Sequence, residues 1–257
     1  MSHVVAPRGK VDLWNELRSL TQARIGLDRV GNALSTKSEL ELRAAHELAR
    51  DAVAGKCDVP ALAEAISTLG MGSPTVLLSR ATSLDEYLRR PDLGRQLEGG
   101  YVPSPSPADL GVVLADGLSP AALDLHGLPL VDAIRKELGP TWTWAAPVIA
   151  LGARVGLGDQ IGSALRVKTV LVIIGERPGL SVPHSLGIYI THDPRPGRTD
   201  AERNCVSNIH PPDGLGYDDA ARVAAELVRG ASRTGASGVH LKDRSIEEVS
   251  ATLPLAT

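Results

Sequence analysis

The segment from Lys168 to Gly179, KTVLVIIGERPG, constrains the fold of this chain more than any other stretch. It opens with β-branched and aliphatic residues, Thr169 to Ile174, a run typical of a strand buried on both faces. The run stops at a glycine, and the charged pair Glu176 and Arg177 follows at once. Ligands of open α/β sheets bind beyond the carboxyl ends of the strands. The segment therefore predicts a buried strand that ends at a ligand-binding edge, where its two glycines let the backbone approach a large flat group.

Strand and helix patterns alternate over residues 109–257, which indicates βαβ units. The other predicted strands are Gly111–Ala115, Val148–Leu151 and Leu186–Thr191. The predicted helices are one that starts at Ser119–Pro120 and ends at Gly139, one over Gly158–Leu165, and one over Asp218–Arg233. The fold class predicted from this order is α/β, with a C-terminal Rossmann-like, mostly parallel sheet and flanking helices.

An N-terminal helical region, residues 1–75, precedes that sheet. Thr36 and Glu39 have capping-box spacing at the start of a helix that ends at Gly55, and Pro60 is placed to open a further helix. We predict that this region packs on a partner subunit. Residues 76–108 are predicted to be a connecting segment, and residues 109–257 a ligand-contacting domain.

Charge and hydropathy exclude several partner classes. The 257 residues carry 27 basic and 30 acidic side chains, a net charge of -3, which argues against nucleic acid as a partner. No apolar run approaches the roughly 20 residues that a membrane span needs. The first residues lack the apolar core of a secretory signal, so we expect a cytoplasmic protein. Neither Cys57 nor Cys205 belongs to a C-x-x-C pair, and we expect both to be buried thiols.

Two motif-like strings have simpler interpretations. Asp116 follows a predicted strand but lacks G-x-G-x-x-G spacing, so we expect it to cap the next helix rather than bind a nucleotide. The string from Asp124 to Pro129 approaches D-x-H-x-x-G, a cobalamin signature, but Pro129 stands where glycine is required and the match is interpreted as coincidence. Neither H-E-x-x-H nor G-x-S-x-G occurs, and no metal site is predicted.

Three polar segments are predicted to lie at loops or strand ends of the same domain. They are Arg154–Gly162, Glu176–Gly179 and Arg203–His210. They could line one surface, or they could be three unrelated surface loops. Residue types alone favour the second interpretation.

The same segments carry a family resemblance, because they occur in the order and at the spacing found in the small subunit of ethanolamine ammonia-lyase. The matching strings are RPDLGR (Arg90–Arg95), LADGLS (Leu114–Ser119), GDQIG (Gly158–Gly162), GERPGL (Gly175–Leu180) and CVSNIH (Cys205–His210). The resemblance extends from about Trp14 to Lys242. The chain thus resembles this subunit along nearly its whole length.

The resemblance implies an adenosylcobalamin-dependent lyase that converts ethanolamine to acetaldehyde and ammonia. In that family a large subunit holds the substrate, and the small subunit closes over the base-on cofactor at their interface. By position, Val155, Glu176 and Cys205 match cobalamin contacts, and Arg154 and Arg177 are secondary candidates. No catalytic residue is assigned to this chain.

Assembly and location follow from the same resemblance. It implies six large and six small chains, and a cytoplasmic location with a bacterial microcompartment as a further possibility. The short stretch before the first predicted helix leaves such packaging open. The alternative function is a stand-alone α/β module that binds a small ligand unaided.

Overall fold

The computed structural model describes residues 13–99 and 103–241, which form seven α-helices, a six-stranded sheet and a two-stranded ribbon. The helices are α1 (Leu13–Ser19), α2 (Thr36–Ala54), α3 (Val59–Ser67), α4 (Leu84–Arg89), α5 (Pro120–Leu138), α6 (Leu157–Leu165) and α7 (Tyr217–Thr234). The ribbon consists of β1 (Arg29–Val30) and β2 (Ala33–Leu34). The main sheet consists of β3 (Thr75–Leu78), β4 (Ala108–Ala115), β5 (Val148–Leu151), β6 (Val167–Gly175), β7 (Leu186–His192) and β8 (Asn204–Ile209).

The strand order of the main sheet is β3-β5-β4-β6-β7-β8. The first four strands in this order are parallel to one another, whereas β7 runs antiparallel to both β6 and β8. The fold class predicted from sequence, a mostly parallel α/β sheet with flanking helices, is confirmed. The strand from Thr169 to Ile174 is also confirmed, as the buried interior of β6.

The two faces of the sheet are covered unequally. Helices α3, α5 and α7 pack on one face, where Leu130, Ile149 and Val228 are fully or almost fully buried. The other face has the nine-residue helix α6, which contacts β4 and β6. Gly158 permits this close packing, since a Cβ there would lie 2.2 Å from Val172 Cγ2. Among the described residues no helix covers the α6 side of β7 and β8, and we call this surface the open sheet face.

One predicted loop is a strand. The sequence predicts a polar loop over Arg203–His210, but Asn204–Ile209 forms β8 at the sheet edge. Its buried residues, Val206 and Ile209, are three apart because a register irregularity interrupts its pairing with β7. The expected period of two is therefore broken, and the polar residues between them point to solvent on an edge strand.

The N-terminal segments are attached to the main sheet. Strand β3 pairs with β5 as an edge strand, and α3 buries Leu62 and Ile66 in the larger core.

The N-cap residue of α2 is Ser35 and not Thr36, because the Oγ of Ser35 accepts a hydrogen bond from Ser38 N at 3.3 Å. The division into 1–75, 76–108 and 109–257 stays a prediction, and its parts at 1–12, 100–102 and 242–257 lie outside the described residues. Within residues 13–99 and 103–241, no helix has the length and hydropathy of a membrane span.

Asp116 ties two strand ends together. Its carboxylate accepts hydrogen bonds from Gly117 N at 2.8 Å, Gly152 N at 2.8 Å and Ala153 N at 3.0 Å. The carboxyl end of β4 is thereby joined to the loop after β5. The expectation that Asp116 caps α5 is wrong, because the N-cap residue is Ser119.

The end of β6 presses against the turn between β4 and α5. A Cβ at Gly175 would lie 2.3 Å from Ser119 O, and one at Gly117, whose φ is +58°, would lie 2.2 Å from Gly175 O. The close approach predicted for Gly175 is therefore made by the chain itself. A Cβ at Gly179 would meet only ordinary contacts, the nearest at 3.6 Å.

We expect Asp116→Ala to lower the free energy of unfolding by about 2 to 3 kcal/mol, because three backbone N–H groups lose their acceptor. Urea unfolding followed by far-UV circular dichroism measures the change. The control is Asp85→Ala, which removes an exposed pair with Arg89 at 3.0 Å and should have little effect. An Asp116→Ala protein as stable as the control would contradict the role assigned to this carboxylate.

Candidate functional site

The residues singled out by the sequence come from three separate elements. Val155 lies in the loop between β5 and α6, Glu176 directly follows β6, and Cys205 is the second residue of β8. Only Glu176 occupies a strand end. Cys205 lies instead within the edge strand β8, although its segment was predicted to be a loop or strand end.

Tyr189 connects these positions. It pairs in register with Cys205 on β8 and with Val172 on β6, and directly paired residues point to the same face of a sheet. Tyr189 and Val155 are both half-buried and pack against the core beneath α6. Tyr189 and Cys205 lie side by side as a cross-strand pair. The open sheet face is therefore built around Tyr189, a residue that the sequence analysis did not select.

Glu176 reaches the same face across a glycine. A Cβ at Gly187 would lie 3.0 Å from Glu176 Oε1 and 3.4 Å from Tyr189 Cε2, so both side chains lie next to this glycine. Glu176 Oε2 accepts from Ser185 Oγ at 2.7 Å and from Asn208 N at 3.2 Å. Oε1 accepts no hydrogen bond from the described residues. One carboxylate oxygen is held by the protein, and the other is available to a ligand.

The groups of this face are neutral apart from Glu176. Burial, the interaction with Cys205 and the charge of Glu176 raise the pKa of Tyr189 to about 12. Cys205 is exposed as a residue, but neighbouring groups desolvate its sulfur and so raise its pKa; the Tyr189 hydroxyl opposes this, and the negative charge of Glu176 adds to it. Both side chains are therefore protonated at neutral pH. A surface with one carboxylate and otherwise uncharged groups suits a large ligand of low charge that carries hydrogen-bond donors.

The two cysteines differ from the expectation of buried thiols. Cys205 is exposed, and Cys57 is half-buried with its Sγ 2.9 Å from Asp124 Oδ1. Burial and this carboxylate raise the pKa of Cys57. The D-x-H string is part of α5, where His126 Nδ1 lies 2.8 Å from Tyr217 Oη.

A cavity of about 610 Å³ adjoins the open sheet face. Val155 and Tyr189 line it, and so does an ion pair between Asp159 and Arg203. Arg203 Nη1 lies 2.5 Å from Asp159 Oδ1, and both side chains are 4% exposed. This pair joins α6 to the residue before β8, so it keeps the cavity wall in place. Asp159 and Arg203 both lie in polar segments that the sequence analysis selected, but their pairing depends on the tertiary structure.

The two secondary arginines have different positions. Arg154 lines the cavity, and its guanidinium carbon lies 4.1 Å from the ring centroid of Tyr87, while Nη2 donates to Tyr87 O at 3.1 Å. Arg177 is exposed, and its side chain makes no hydrogen bond or ion pair with the described residues. Arg154 therefore lines the cavity together with Val155, whereas Arg177 does not line it.

Comparison with known proteins gives one consistent result. The model of the ethanolamine ammonia-lyase light chain family matches residues 11–242. An ethanolamine ammonia-lyase small subunit from Rhodococcus erythropolis is 54% identical over 235 residues, which cover 91% of each chain. Small subunits from Bradyrhizobium diazoefficiens and Rhodopseudomonas palustris are each 46% identical, with at least 90% of each chain covered. The family resemblance seen in the short motifs is thus confirmed over nearly the whole length: the chain belongs to the family of ethanolamine ammonia-lyase small subunits, components of a heteromeric lyase.

Proposed function

We propose that this chain is the small subunit of an adenosylcobalamin-dependent enzyme that converts ethanolamine to acetaldehyde and ammonia. In this proposal it closes over the base-on cofactor at the interface with a large subunit that holds the substrate. Six large and six small chains form the complex, located in the cytoplasm or in a bacterial microcompartment. The observation that supports this best is the grouping of Val155, Tyr189, Cys205 and Glu176 around one uncovered sheet face.

The chemistry of that face matches a corrinoid. A corrin is a broad ring with apolar surfaces and peripheral amides, so its site needs apolar contact and a few hydrogen-bond partners at the rim. Val155 and the Tyr189 ring provide apolar contact, and Glu176 Oε1 can accept a hydrogen bond from an amide N–H. Cys205 adds a neutral, polarisable group. From β6 to β8 the face spans two strand spacings, about 10 Å, enough for one side of such a ring.

The bound cofactor supplies the radical chemistry. The residues of this chain bind it, orient it and exclude water from its face. Glu176 orients an amide through Oε1, because Ser185 and Asn208 hold the other oxygen still. None of these groups is assigned a proton transfer.

We expect the chain to lack lyase activity alone and to acquire it with the large subunit. Co-expression of both chains should give a complex that releases acetaldehyde from ethanolamine only when adenosylcobalamin is added. The isolated small chain, measured by equilibrium dialysis with cyanocobalamin, should bind the corrinoid weakly. Acetaldehyde release without the cofactor, or tight corrinoid binding by the small chain alone, would overturn the proposal. The second result would favour a stand-alone binding module.

Replacement of Glu176 should weaken corrinoid binding without loss of the fold. In the complex, Glu176→Ala should raise the Kd for cyanocobalamin about tenfold, the effect of one charge-assisted hydrogen bond. Glu176→Gln keeps the shape and an acceptor oxygen, so its effect should be smaller. Glu137→Gln, an exposed change on α5, is the control. Equal affinity in Glu176→Ala and wild-type complexes would remove Glu176 from the site.

Cys205 should be slow to alkylate, because its raised pKa keeps the thiol protonated. In a Cys57→Ser background, the rate of the iodoacetamide reaction should rise only at pH values above the pKa of an ordinary thiol. Glu176→Gln should shift this profile to lower pH, because removal of a nearby negative charge favours the thiolate. Bound cyanocobalamin should protect Cys205 in the complex. Absence of protection would place the corrinoid away from β8.

A further inference from the structure

The arginines that line the cavity beside the open sheet face are not all neutralised. Four arginines contribute to the lining, together with Asp159 and Asp200. Arg203 pairs with Asp159 at 2.5 Å, and Arg198 lies 2.5 Å from Glu202 and 3.1 Å from Asp193. These two arginines therefore have carboxylate partners and serve to hold the cavity walls.

The other two arginines, Arg95 and Arg154, have no carboxylate partner among the described residues. Arg154 is fixed against Tyr87, and its Nε is buried without a hydrogen-bond acceptor. The side chain of Arg95 makes no hydrogen bond with the described residues. It lies along Gly156, where a Cβ would be 3.4 Å from Arg95 Cγ. Both guanidinium groups consequently keep unused donors.

The chain holds these two arginines close together. Arg154 N donates to Gly94 O at 2.8 Å, and Arg154 Cγ would lie 2.7 Å from a Cβ at Gly94. Arg95 is the next residue, and its carbonyl oxygen accepts from Gln160 Nε2 at 3.2 Å. Two like charges in one concave site repel each other, and an anion bound between them removes that cost. Guanidinium groups match the oxygens of a phosphate particularly well.

We propose that Arg95 and Arg154 bind a phosphodiester, namely the one in the nucleotide tail of base-on cobalamin. This inference rests on the proposed function. Val155 and Tyr189 belong both to the open sheet face and to the cavity lining. A ring that covers the face therefore has the arginine-lined cavity directly beside it. The tail phosphodiester is the anionic group of this cofactor. The cavity contains the two guanidinium groups that have no carboxylate partner among the described residues.

The test compares two corrinoids in the complex with the large subunit. Cyanocobalamin carries the phosphodiester tail, and dicyanocobinamide lacks it. Arg95→Gln should raise the Kd for cyanocobalamin about tenfold and leave that for dicyanocobinamide unchanged. Arg95→Lys keeps the charge and should restore part of the affinity. Arg233→Gln, the same charge change at an exposed position of α7 on the opposite face, is the control.

Absorbance titration gives these affinities without reference to activity. Arg154→Lys is a second variant, which retains the charge but loses the planar guanidinium group with its paired N–H donors. It should also weaken only cyanocobalamin binding. Equal effects of Arg95→Gln on both corrinoids, or no effect on either, would overturn the phosphodiester site while the proposed function stands. A wild-type complex that binds neither corrinoid would instead overturn the proposed function.

Free phosphate is the remaining source of such an anion. Inorganic phosphate should compete with cyanocobalamin in the wild-type complex and lose this effect in Arg95→Gln. If Arg95→Gln abolishes phosphate binding but leaves the cyanocobalamin Kd unchanged, the site serves a free anion and the assignment to the cofactor tail is wrong.

Discussion

The carboxylate of Asp116 is the interaction on which the arrangement of the site depends. By accepting three backbone N–H groups, it holds the end of β4 against the loop that follows β5. That loop continues directly into Arg154 and Val155. The carboxylate is desolvated, and burial raises its pKa while the backbone donors act against this. The LADGLS motif therefore has a positioning role: it fixes the residues that meet the ligand in our proposal without touching the ligand itself.

The unequal covering of the sheet determines which surface is available. Helix α6 is short and lies close to β4 and β6 because Gly158 and Gly162 present no side chain to the strands. It contacts β4 and β6, and among the described residues no helix lies on the same side of β7 and β8, the antiparallel part of the sheet. The result is a bare sheet surface beside a helix, with Tyr189 at its centre. In our proposal this flat surface contacts one face of the corrin ring, which a strand edge alone would not do.

The open sheet face and the adjoining cavity differ in charge. The open sheet face is neutral except for Glu176, because Tyr189 and Cys205 both keep their protons. The adjoining cavity has two guanidinium groups without carboxylate partners among the described residues. In our proposal the neutral face contacts the uncharged, amide-rich ring, and the two guanidinium groups of the cavity bind the charged phosphodiester.

The sequence by itself determined β4 to β7 and α5 to α7, since their apolar runs and glycine ends are local signals. It also determined the family, through motifs such as GERPGL and CVSNIH. It did not determine that Cys205 lies on a strand, because a register irregularity hides the alternation of β8. Only the tertiary structure decided that Tyr189 joins Val155 to Cys205, that Asp159 pairs with Arg203, and that Gly175 packs against its own chain. Each of these depends on residues far apart in sequence, whose proximity is set by strand order and helix cover and leaves no local pattern.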